Sequence, residues 1–164
     1  VAASLTFGIF FPETKIGAYF SGRSVKSAIA LYIFFIGLIY NLLLRDLIKP
    51  EGWQLFLDNM LHVFTPISYI LFWGYFDATK KLTWKNGLFW LIFPCLYVIY
   101  SLIRGAFEDW YPYPFLAANV YGYKKILLNI TVLLILSHFG ALYLISDFYN
   151  FSFSGLLNFV RRKI

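Results

Sequence analysis

The chain has 164 residues, of which 60% are hydrophobic and only 13% charged, with a mean hydropathy of +0.69 and a formal net charge of +6. A soluble domain carries about 25% charged residues, so this composition excludes an ordinary water-exposed globule and points to an integral membrane protein. The basic residues abut apolar runs, which suits anionic membrane lipids as partners and gives no call for nucleic acid.

The first apolar run, 1–11, is closed by Pro12. It is half of the roughly 20 residues that a helical crossing needs. Because Val1 already lies inside this run, a further segment ahead of it is expected. Four complete spans follow, at 24–44, 53–76, 85–102 and 124–144. The expected fold is all-α: a polytopic transmembrane helical bundle of four full spans plus one partial N-terminal span, making one domain over 1–149. Residues 150–164 place aromatics ahead of Arg161, Arg162 and Lys163 and read as an interfacial basic amphipathic tail. Pro66 and Pro94 fall within spans, where they free carbonyls that neighbours or water must satisfy. Trp53, Trp73, Trp84, Trp90 and Trp110 mostly lie near the ends of apolar runs, as aromatic belts do.

Successive spans alternate sides. Lys15, Arg23, Lys26, Lys80, Lys81, Lys85, Arg161, Arg162 and Lys163 therefore share one face, nine of the 14 basic residues. The other five, Arg45, Lys49, Arg104, Lys124 and Lys125, are diluted by Asp46, Glu51, Glu108 and Asp109. The positive-inside rule places the first face, with the C-terminus, in the cytoplasm.

The second full span carries the main chemical signal. Asp58 and His62 are four residues apart on one helix face, and Thr65 is three further along. An aspartate near a helix centre costs roughly 2.5–3.5 kcal/mol on insertion scales, so the pair is expected to face the bundle interior or a wet cavity, near Asn129 or Arg104. One reading makes Asp58 and His62 a functional site; the other makes them an ion pair that satisfies itself close to the interface. Asn41 and Arg45 lie at similar depth and read as interhelical hydrogen bonding and snorkelling. The segment Trp110-Tyr111-Pro112-Tyr113-Pro114-Phe115-Leu116 combines fixed φ angles with aromatic surface, and reads as a re-entrant cap or an interfacial belt. Arg104, Asn129, Trp110 and Tyr113 are accordingly the candidate substrate contacts. Cys95 and His138 lack neighbours at ligand spacing, so no metal site and no cofactor are expected.

Three stretches also carry a resemblance. They are Leu57-Asp58-Asn59-Met60-Leu61-His62-Val63-Phe64-Thr65-Pro66, Tyr40-Asn41-Leu42-Leu43-Leu44-Arg45, and 100–105 followed by 110–116. Together they resemble the bacterial Pr-six-Pr family of membrane proteins over residues 25–146, which implies the bacterial inner membrane as location. A more distant similarity is to the animal androgen-induced membrane threonine hydrolase family, which cleaves fatty acid esters of hydroxy fatty acids. His62 with Pro66, and Trp110 with Tyr113 to Leu116, match that family's motifs. The resemblance implies a hydrolase of lipid-like esters with His62 as its base, and aligns the family's threonine nucleophile ahead of Val1, with Thr6 as the second choice. Asp58 departs from the animal pattern, yet suits the third member of a triad. The chemistry is reasonable, since a threonine hydroxyl needs a base within reach and imidazole serves near neutrality. A non-enzymatic lipid-binding protein or accessory subunit of a membrane complex is the alternative.

Overall fold

A computed structural model of the chain describes residues 1–76 and 82–146, with side chains as far as Tyr143. The Lys80 and Lys81 loop positions and the tail 150–164 lie outside the described residues. Among the described residues all regular structure is helical. Four helices are long and apolar enough to cross a membrane: α3 (Arg23–Ile48), α4 (Gly52–Phe76), α5 (Trp84–Glu108) and α6 (Ala118–Ser146). They expose large apolar side chains, among them Leu42, Leu61, Phe89 and Phe139. That surface suits a hydrocarbon solvent.

The chain packs as two compact units, one within residues 1–82 and one spanning 83–145. The first opens with α1 (Ala2–Phe10) and α2 (Lys15–Ser21), which pack together. Hydropathy alone does not mark α2. Its start is set by Thr14, whose hydroxyl accepts a hydrogen bond from the Gly17 amide at 3.0 Å and caps the free end. Helices α3 and α4 pack together with small residues at the contact, Ser27 against Trp73 and Gly37 against Pro66, which let the backbones approach. Toward the start of α3 the buried Trp73 indole donates to Ser27 Oγ at 2.8 Å. At the other end lies the polar cluster described below.

In the second unit, Thr83 and Asn86 cap the start of α5 reciprocally. The helix yields at Leu91, just ahead of Pro94, which cannot continue the hydrogen-bond ladder. Asp109 ends α5 in the left-handed conformation, and the chain turns back through a short 3-10 turn, Pro114–Leu116, into α6. A kink at Gly122, with φ 75° and ψ 151°, separates one opening turn of α6 from its long apolar stretch. Leu116 is 2% exposed and packs with Ala118, Ile126 and Ile130, while Val98, Leu102 and Tyr111 close around them. The Tyr111 ring packs so closely on Gly105 that a Cβ there would overlap it. The 110–117 connection is thus a wedge in the core of its unit. Leu116→Ala is expected to cost about 2–4 kcal/mol, read as a fall in the thermal midpoint in nanodiscs. An unchanged midpoint would mean the segment does not support the core.

Candidate functional site

The site begins with a missing donor. Pro66 has no N–H, so the His62 carbonyl one turn earlier loses the partner an α-helix would give it. Just ahead of Pro66 the ladder widens into a π segment, Met60–Phe64, in which the Thr65 amide reaches the Met60 carbonyl. The Thr65 hydroxyl donates to the same carbonyl at 2.6 Å. The sequence places this hydroxyl on the Asp58 and His62 face; the widened turn commits it to the backbone.

Helix α3 supplies what Pro66 removes. Asn41 Nδ2 donates to the His62 carbonyl at 3.0 Å and to the Gly37 carbonyl at 2.7 Å. The second bond inserts a side chain into the ladder of α3, which widens into its own π segment, Tyr40–Leu44, with the Arg45 amide reaching the Tyr40 carbonyl. The two helices touch at Gly37, where an added Cβ would lie 2.9 Å from the His62 carbonyl oxygen and 3.0 Å from Pro66 Cγ.

On this frame Asp58 Oδ1 and His62 Nδ1 are 3.1 Å apart. The contact suits an Nδ1–H that donates to the carboxylate, and a neutral imidazole held that way has its lone pair on Nε2. The Tyr40 ring stacks on the imidazole, centroids 3.6 Å apart and planes 10° off parallel, and the Tyr40 phenol is within electrostatic reach of Asp58 and Arg45. The Asp58 side chain is 10% exposed, and its Oδ2 is buried with no hydrogen-bond partner among the described residues. Arg45 donates from Nη1 to Asn41 Oδ1 at 2.8 Å and from Nη2 to Asn59 Oδ1 at 2.5 Å. In place of the snorkelling read from sequence, its guanidinium is tied into the cluster. Tyr40 and Asn59 are the members that sequence reasoning passes over. Their one signal is position, Tyr40 beside Asn41 and Asn59 beside Asp58.

The other candidate residues belong to the second unit, and each is described within it. Arg104 Nε donates to Glu108 Oε2 at 2.6 Å, and its guanidinium lies over the Trp110 ring at 5.0 Å from the centroid. Tyr113 stacks on Phe115 with centroids 5.1 Å apart. Burial, and after it the neighbouring Tyr97, push the Tyr113 hydroxyl's pKa up to about 12, so it stays neutral. Asn129 Nδ2 donates to the Phe115 carbonyl at 3.2 Å and so fastens the wedge to α6. His138 Nδ1 is buried without a hydrogen-bond partner among the described residues, and no group of three or more His, Cys, Asp or Glu gathers there to hold a metal.

The arrangement offers one chemical capability. Asp58 holds His62 through Nδ1, Tyr40 fixes the plane of the ring, and Nε2 is left to take a proton from a hydroxyl. Comparison with protein-family models, curated proteins and solved structures finds no match to this chain.

Proposed function

We propose that this chain belongs to a multi-pass hydrolase of the bacterial inner membrane, related to the Pr-six-Pr proteins, that cleaves lipid-like fatty acid esters. The observation that carries the reading is the Asp58 to His62 contact through Nδ1, which leaves Nε2 as a base. His62 takes the proton of a threonine hydroxyl in a helix preceding Val1, and the alkoxide adds to the ester carbonyl. The alcohol leaves with the proton held on His62, and water, activated by the same imidazole, releases the fatty acid and restores the threonine. Asp58 stabilises the imidazolium that forms between these steps. Within the second unit, Arg104 lies over Trp110 and Asn129 fastens the segment that carries Trp110 and Tyr113.

A second reading rests on the same contact, in which Asp58 and His62 satisfy each other. With no threonine upstream, Asp58 and His62 would be a structural pair in a lipid-binding protein or an accessory subunit of a membrane complex. The deciding experiment is ester turnover by the purified full-length protein in nanodiscs, together with labelling by a fluorophosphonate probe. Turnover and labelling support the hydrolase; their joint absence supports the second reading.

The proposed orientation puts the C-terminus in the cytoplasm and the 49–51 turn outside. In a Cys95→Ser background, a membrane-impermeant thiol reagent applied to intact cells is expected to label Glu51→Cys and spare Lys85→Cys. The opposite pattern would reverse the topology.

A further inference from the structure

We infer that Asn41 is the positioning residue of the site, replacing the backbone donor that Pro66 removes and so setting the orientation of His62; the inference rests on the reading of His62 as a base. Both polar atoms of the Asn41 carboxamide are engaged: its two N–H groups go to the Gly37 and His62 carbonyls, and its oxygen accepts from Arg45. No other side chain bonds to the His62 backbone among the described residues. In hydrocarbon an unpaired carbonyl is costly, and the helix would twist or draw in water to satisfy it. The imidazole and the carboxylate sit on the widened turn and just before it, so a twist there separates Nδ1 from Oδ1 first. Gly37 belongs to the same device, because only a residue without Cβ lets α3 come close enough for the amide to reach.

The mechanism predicts a specific compensation. Pro66→Ala returns an N–H to the His62 carbonyl from within α4, after which Asn41 should be dispensable. The readout is the tautomer of His62, observed by 15N NMR of the histidine-labelled full-length protein in nanodiscs, its resonances assigned by their loss in His62→Gln. It needs no substrate, so it stands or falls apart from ester turnover. Wild-type and Pro66→Ala proteins are expected to hold the Nδ1–H form. Asn41→Leu is expected to mix the two tautomers, and Asn41→Leu with Pro66→Ala to restore the single form. Asn41→Ser removes the same donor with less bulk and should behave as the leucine variant, since its short hydroxyl bonds back to Gly37. An unchanged tautomer in both Asn41 variants, or a double variant as mixed as Asn41→Leu alone, overturns the assignment. A merely structural asparagine would alter stability and leave the tautomer, and its rescue, untouched.

Discussion

Replacing His62 by alanine is expected to lower ester turnover by roughly 10²–10⁴-fold, the range that a positioned general base contributes. The fall should lie in kcat, because the imidazole acts on the proton of the attacking hydroxyl and does not hold the substrate's alkyl chains. Asp58→Asn should be milder. The carboxamide oxygen still accepts from Nδ1–H, but the negative charge that steadies the imidazolium is gone. Stability sets the control, since both side chains are largely enclosed. Activity per folded molecule, measured on nanodisc protein of matched thermal midpoint, separates lost chemistry from lost fold. Equal turnover in wild type and His62→Ala would remove the base from the mechanism.

The second large effect concerns backbone approach. Gly37→Ala is expected to destabilise the protein by about 1–3 kcal/mol, because the new methyl meets the His62 carbonyl oxygen, a backbone atom that cannot swing aside. The helices must part at the same point where Asn41 reaches across, so the cluster loosens with the fold. Gly74 on α4 is the internal comparison. Among the described residues no neighbouring atom outside the helix's own backbone lies within 4 Å of a Cβ built there, so Gly74→Ala should be neutral or stabilise by about 0.5–1 kcal/mol through lost backbone entropy in the unfolded chain. Opposite signs at two glycines would show that contact at the α3 to α4 crossing, not helix propensity, decides the outcome. Thermal midpoints of the two variants in one lipid composition test it.

The long helices were legible because their apolar runs match the hydrocarbon thickness, and their boundaries moved only at the ends. Arg23–Ile48 extends the expected 24–44 through the polar turn Arg45 to Ile48, where Lys49 in the left-handed conformation stops it. The pairing of Asp58 with His62 was legible too, being a matter of spacing along one helix. The π segments were not. A one-residue widening leaves no mark in a pattern that is apolar on every side, and only the consequences of Pro66 and of the Asn41 side chain reveal it. For the same reason Thr65 looked like a neighbour of His62 by spacing, and Arg45 looked free to snorkel. The 110–117 connection left two readings open, and its burial around Leu116 follows from Gly105 admitting the Tyr111 ring, a contact that no periodicity encodes.

The most direct test of the central claim is to map the fluorophosphonate adduct on the full-length protein by peptide mass spectrometry, in wild type and in His62→Ala. The account predicts one adduct, on the proposed threonine nucleophile, present in wild type and lost in His62→Ala. No adduct at all, or an adduct formed equally well without His62, would contradict it.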